Sequence, residues 1–358
     1  MATTSYGVNH AMAKKLWSAK LFHEVTGKTF WGKFMGEGQT SLIQFKRDLA
    51  KDKGDRITIG LRMLLSGSGI QGDDTLEGNE EALNVYTYNL LIDQLRHATR
   101  SAGKMSEQRV PFSVREENRM ALEDWWVERL DTCMANQLTG NTGQSDTRFT
   151  GNNATTAPTS ANSITRIIVG GSELSEASLS ATTTHIIGFS DLDSAVALAK
   201  TQQPRIRPVR VGGREYYVVF LHPYAIKQLR GSDTSNGGFY DVYKAALQGG
   251  KFSDNPIIDG ASFIYNNCIV HEWSYLPATV NASDNTQYKR GVFCGAQAAS
   301  FAVGQGGSKN KMDWNEELFD YGNQLGVEAG MIYGVKKSIF NSIDYATIAL
   351  AGYAPVPS

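Results

Sequence analysis

The chain is poor in the residues that metal sites, disulfides and membrane spans require. Its 358 residues hold three cysteines, Cys133, Cys268 and Cys294, far apart and without CxxC spacing. Neither a zinc site nor a disulfide framework is indicated, and a reducing compartment is the simplest context. No apolar run approaches the roughly 18 residues that cross a bilayer. The N-terminus MATTSYGVNHAMAKKLWSAK lacks the hydrophobic stretch of a secretory signal. A soluble protein with no membrane partner is therefore expected. An excess of basic charge is also missing: 35 Lys and Arg face 36 Asp and Glu, for a net charge of −1. That balance argues against a dedicated nucleic-acid binder, although it leaves room for one basic face. Charged residues are only 20% of the chain, which is compatible with much surface being covered by neighbours.

Catalytic signatures are absent as well. There is no G-x-S-x-G and no kinase set. His271-Glu272 is followed by Trp273 instead of the x-x-H that zinc needs. His10, His23, His97, His185 and His222 stand singly and read as structural residues. The segment GSGIQG, Gly67 to Gly72, matches G-x-G-x-x-G, but Asp73, Asp74, Glu77, Glu80 and Glu81 follow at once. Five carboxylates would then occupy the place of the pyrophosphate, so the stretch reads as an acidic loop tip. GQGGSK, Gly304 to Lys309, has the wrong spacing for a phosphate loop. No catalytic residue, metal ligand or cofactor is assigned.

What the chain does contain is one very strong helix. Ser113 followed by Glu116 forms a capping-box pattern. Leu122, Trp126, Leu130, Met134 and Leu138 then recur every four residues, with Trp125 and Cys133 widening the stripe. Gly140 ends it. The expected span is 113–138, a rod roughly 39 Å long. Such a rod with one aromatic face is a girder on which the rest of the chain hangs.

Ahead of it, residues 1–35 form an amphipathic arm that includes Trp17 and ends in the aromatic cluster Phe30, Trp31, Phe34 and Met35. That arm docks on its own core or on a neighbouring subunit. SLIQFKRDL and RITIGLRMLL read as strands joined at Lys53-Gly54-Asp55, a hairpin signal. The acidic, glycine-rich tip follows, and ALNVYTYNLLIDQL returns as a strand. A ribbon of this kind is marginal alone in water and should lie on another surface. Arg96, Arg100, Lys104, Arg109, Arg115 and Arg119 then crowd one short span. They either pair with local carboxylates such as Glu107, Glu116, Glu117 and Glu123, or meet opposite charges on a neighbour. Residues 139–163 are polar, with Phe149 the one large apolar residue, and read as a loop or surface insertion. Beyond them strands alternate with helices over GFSDLDSAVALAKTQQ, HPYAIKQLRG and GFYDVYKAALQGG, giving a mixed α+β tally with a separate α/β lobe at about 188–305.

Several blocks carry a family resemblance: LEGNEEAL and IDQLRHA with GKMSEQR, then DWW and ERLD on the long helix, PVRVGGREYYVVFLHPYAIKQLR, GVFCGAQAASFAVG, and EELFDYGNQLGVEAGMIYGVKKSIFN. Between about Leu42 and Ile348 the chain resembles the major capsid proteins of tailed bacteriophages of the N-four-like group. The resemblance implies the Hong Kong ninety-seven capsid fold. On that reading 1–35 is the N-terminal arm, 36–104 the extended hairpin loop, 105–187 a peripheral domain holding the helix and the polar insertion, 188–305 the axial domain, and 306–358 a return to the peripheral domain. It also implies a non-enzymatic subunit, made in the host bacterial cytoplasm, that assembles as hexamers and pentamers into an icosahedral virion shell around double-stranded DNA. Implied partners are copies of itself, a separate scaffolding protein, a portal, a decoration protein where one exists, and the packaged DNA through non-specific contact. Subunit contacts are expected at Asp73, Asp74, Glu77, Glu80 and Glu81 of the tip, at Arg96, Arg100 and Arg109, and at Trp17, Phe30 and Trp31 of the arm. The competing readings are a nucleotide-binding enzyme using Gly67 to Gly72 and an accessory binding module of a virion.

Overall fold

The computed structural model describes residues 21, 24–25, 28–47, 54–62, 65, 67–161, 164–231, 261–278, 287–305 and 312–357. The expected helix at GFYDVYKAALQGG and the arm residue Trp17 lie outside them. In chain order the strands are β1 (Met35–Gly36), β2 (Ile43–Lys46), β3 (Arg56–Arg62), β4 (Val85–Leu91), β5 (Asp93–Arg100), β6 (Ser160–Ala161), β7 (Ile164–Thr165), β8 (Ile167–Val169), β9 (Val209–Val211), β10 (Arg214–Leu221), β11 (Phe263–Tyr265), β12 (Cys268–Glu272), β13 (Tyr288–Cys294), β14 (Ala299–Val303), β15 (Met312–Phe319), β16 (Gln324–Lys337), β17 (Ile339–Phe340), β18 (Ile343–Asp344) and β19 (Thr347–Tyr353). The helices are α1 (Lys104–Arg109), α2 (Val114–Thr139), α3 (Phe189–Thr201) and α4 (Pro223–Gly231).

Helix α2 is the girder expected from the four-residue repeat. The Ser113 hydroxyl accepts from the Glu116 N–H at 3.4 Å. Among the described residues Glu116 makes no return bond, so only half of the capping box forms. Gly140 sits in the left-handed region at φ 66 and ψ 44, where a side chain would be strained. Leu122, Trp126, Leu130, Cys133, Met134 and Leu138 are buried. Burial of each large side chain is worth about 1.5–3 kcal/mol, so this stripe fixes which face of the rod turns inward.

Two sheets flank that stripe. The first runs β1-β2-β14-β16-β15, with β5 also paired to β16. Its backbone is β16, 14 residues long. Alternation puts Val327, Ala329, Met331, Tyr333 and Val335 on the face towards α2, where Trp126 meets Tyr333 edge-on at 5.9 Å. The second sheet runs β11-β12-β10-β13-β19-β8, with β9 attached to β10. Strand β10 lies parallel to β12 and antiparallel to β13, so the chain crosses over through α4 between β10 and β12.

Several boundaries differ from the sequence reading. Gly54-Asp55 does not join a hairpin: β2 pairs in parallel with β14, while β3 pairs with β4. A partner supplied from far along the chain outcompetes a local turn. Strand β5 belongs to the first sheet, opposite residues 326–333 of β16, so the free ribbon is only β3–β4 and its tip. Strand β14, within the span read as the axial lobe, lies in the first sheet, and β19 leaves that sheet for the second. Because β19 is buried along almost all its length, it requires a strand on both sides, and β13 and β8 provide them.

Candidate assembly surface

Strands β3 and β4 pair antiparallel from Arg56 with Leu91 to Arg62 with Val85. Ile57, Ile59 and Leu61 share one face with Leu90, Tyr88 and Tyr86, while Arg56, Thr58, Arg62, Thr87 and Asn89 line the other. The apolar face is buried at the base, where Ile57, Leu90 and Ile92 pack on Ala302 and Ile332. It opens outward, Ile59, Leu61 and Tyr86 being only half-buried. The ribbon is thus anchored at one end and uncovered at the other.

The anchor is polar as well as apolar. The Tyr88 hydroxyl lies 2.7 Å from that of Ser300, and the Lys336 ammonium donates to the Asn89 carbonyl at 2.7 Å. The Asn153 side chain accepts from the Leu91 N–H at 3.0 Å and donates to the Leu91 carbonyl at 2.9 Å. Gln137 of α2 in turn donates to the carbonyls of Thr150 and Asn153 at 2.7 and 2.8 Å. The polar stretch 139–163, read from its composition as a surface insertion, is therefore partly interior: Thr150 and Asn153 are buried. Its amides act as backbone partners for strands that end there. Gly334 of β16 has the Leu91 carbonyl and Ile92 where a Cβ would stand, so glycine is what lets the ribbon base lie flat on the sheet.

At the far end, Leu65, Leu76, Leu83 and Val85 are each more than half exposed, and Ile70 more than a third. Around them Asp73, Asp74, Glu77, Glu80 and Glu81 are exposed. Glu81 accepts from the Gly67 N–H at 2.6 Å and Glu80 from the Gly78 N–H at 2.8 Å. No helix follows Gly72; the next regular element is β4. The glycine run therefore lacks the helix N-terminus that a dinucleotide site is built on.

The basic span divides. Arg96 lies 3.5 Å from Glu328, Arg115 reaches Glu316 at 2.7 Å, and Arg119 pairs with Glu24 and, at 3.5 Å, Glu123. Arg100 stacks on the Phe319 ring at 4.2 Å. Arg109 is exposed at the end of α1. A second apolar group, Met105, Phe112, Leu318 and Tyr321, is exposed near that helix, where Lys104 N–H meets the Asn323 side chain at 3.3 Å. Of the expected contact residues, the structure brings Arg96 and Arg100 onto β5 and leaves the tip carboxylates on the ribbon loop.

The arm corrects one expectation. Trp31 is fully buried in its own subunit, its ring 4.5 Å from that of Phe220. Phe30 stacks on Trp273 at 4.1 Å. Large aromatic faces gain most when water is excluded on both sides, and this core supplies both, so Trp31 cannot be a subunit contact as placed. The arm runs alongside α2, with Lys28 on Glu123 at 2.7 Å and the Phe30 N–H on the Asp131 carboxylate at 3.2 Å. Burial raises the Asp131 carboxyl to about 7, against the pull of the Phe30 and Trp31 N–H groups.

A polar junction escaped the sequence reading. The Arg290 guanidinium of β13 donates to the carbonyls of Thr139 and Gly140 at 3.2 and 2.9 Å and pairs with Glu176. Beside it Lys337 of β16 meets Asp344 at 2.7 Å, both groups buried. Two cations from two sheets thus face the negative end of α2, where a helix favours positive charge. Helix α2 has no basic residue in its own last turn, so nothing local signalled this.

A family model described as phage capsid protein matches residues 3–355. The major capsid protein of Pseudomonas phage KPP25 is 30% identical, over 92% of this chain and 90% of that protein. The capsid of Ralstonia phage GP4 superposes with a TM-score of 0.79 at 31% identity, covering both chains completely. The capsid of Cyanophage Pam1 gives a TM-score of 0.71 at 19% identity over 100% of this chain and 95% of that one, a likeness of fold alone.

Proposed function

The chain belongs to the phage capsid protein family and is a structural subunit of the virion's shell with the Hong Kong ninety-seven fold, and from this premise we propose that its ribbon is the principal contact between copies. The observation that carries the proposal is the uncovered ribbon end: several large apolar side chains stand in water around five carboxylates. Exposed apolar groups rimmed by charge mark interaction surfaces. A second copy supplies the missing cover, the carboxylates setting register and the apolar residues supplying most of the affinity.

Asp73, Asp74, Glu77, Glu80 and Glu81 make the acidic half of this contact. Arg96 and Arg100 on β5, with Arg109 at the end of α1, make the basic half. Copies close as hexamers and pentamers around double-stranded DNA, with a separate scaffolding protein and a portal, after synthesis in the host cytoplasm. The subunit does no catalysis and its role is mechanical. The test is a charge reversal at the tip, Asp73→Lys with Asp74→Lys and Glu77→Lys. Circular dichroism should be unchanged while negative-stain electron microscopy shows few shells; a normal particle yield would sink the proposal.

A further inference from the structure

The most basic exposed stretch of the described chain lies outside the ribbon. Between Lys200 and Glu215 the sequence is KTQQPRIRPVRVGGRE, five cations against the one carboxylate of Glu215. Lys200, Arg205, Arg207, Arg210 and Arg214 are all exposed, while Ile206, Val209 and Val211 between them are buried. Glu215 is occupied by Arg210 at 3.1 Å. Among the described residues, Arg205, Arg207 and Arg214 have no carboxylate within ion-pair distance.

The stretch is held rigidly. The Ile206 N–H donates to Ala199, and the Ala296 N–H to the Arg207 carbonyl, at 2.9 and 2.8 Å. The Tyr217 hydroxyl donates to the Ile206 carbonyl at 3.3 Å. Strand β9 then turns into β10 through Gly212 and Gly213, both at positive φ, with open space around them. Arg205 and Arg207 are two apart, and in extended chain such side chains emerge on one side about 6.6 Å from each other. That spacing is close to twice the 3.4 Å rise per phosphate along one strand of duplex DNA. Guanidinium groups bind phosphate oxygens in pairs. Four exposed arginines within ten residues, three of them without an ion-pair partner among the described residues, give a chain without net positive charge one local surface suited to phosphate.

We propose that this hairpin, residues 205–214, is the subunit's contact with the phosphate backbone of double-stranded DNA. The inference rests on the shell reading only for the presence of DNA beside the subunit. Its test is filter binding of the purified full-length chain to a random-sequence DNA duplex across a salt series. The variants are Arg205→Gln with Arg207→Gln and Arg214→Gln, and a control carrying Lys104→Gln with Lys227→Gln, two exposed lysines outside the hairpin. The wild type should bind with a steep salt dependence. The hairpin variant should weaken at least tenfold at low salt and flatten the log–log slope by roughly 2.7, three phosphate contacts at about 0.9 each. The control should match the wild type. Equal loss in both variants, or an unchanged slope in the hairpin variant, overturns the proposal. So does a hairpin variant that binds DNA normally but assembles no shells, since the arginines would then serve contact with a second copy. Electron microscopy of the same preparations reports on the shell reading separately, because the binding assay needs no assembly.

Discussion

The side chain of Asn153 satisfies both backbone groups of Leu91, accepting from its N–H at 3.0 Å and donating to its carbonyl at 2.9 Å. Leu91 is the last residue of the ribbon before the chain enters the first sheet at β5. One amide therefore substitutes for a strand at the place where the ribbon leaves its support. Asn153→Ala should cost about 1–3 kcal/mol, since it leaves these part-buried backbone groups without their protein partner. Hydrogen exchange at the Leu91 amide should accelerate while exchange in α2 is unchanged. Unaltered exchange at Leu91 would show that the clamp is dispensable.

Asp131 gives the arm a pH dependence with a definite sign. The unfolded carboxyl takes its proton near 3.8 and the folded one at about 7. Between those values the folded chain holds more protons, so stability falls as pH rises through this window and is lowest above it. Asp131→Asn removes the effect. The melting temperature of the variant relative to wild type should be close to zero difference at pH 4 and several degrees higher at pH 8. A difference that does not change with pH would refute the assignment.

Removing one member of the Arg290 and Glu176 pair should be among the most damaging single changes. Both side chains are buried, and a lone buried charge costs about 3–5 kcal/mol. Arg290→Met should destabilise by that order and also strip the end of α2 of two hydrogen bonds. Adding Glu176→Leu should restore part of the loss, as chemical denaturation would report. No recovery in the double variant would mean that the helix end, and not the ion pair, dominates.

The three thiols should be inert in the folded chain. Burial raises Cys133 to about 11 and Cys268 to about 12, and pushes Cys294 up further, so almost none is thiolate at neutral pH. A thiol reagent should label none of them natively and all of them in denaturant. Rapid native labelling of any one would contradict its burial.

How much of this was legible before the structure depends on how far apart the partners are. Helix α2 was readable because its caps and stripe are local: Ser113, Gly140 and the repeat from Leu122 to Leu138 carry their own signal. The ribbon was half readable. Alternation in β3 and β4 marked the strands, but Gly54-Asp55 imitated a turn that the pairing of β2 with β14 overrules. The polar stretch after α2 misled for a physical reason. Composition cannot tell an amide seeking water from one, like that of Asn153, seeking a backbone. The grip of Arg290 on Thr139 and Gly140 joins residues about 150 apart in the chain, and no periodicity spans that distance.

That grip has a mechanical result. Because β13 and β16 each extend a cation to the same end of α2, a load arriving at the outer tip of the rod is delivered to both halves of the subunit together. The ribbon has no such tie to both sheets: its apolar packing on the body is at the base, where Ile57, Leu90 and Ile92 meet Ala302 and Ile332.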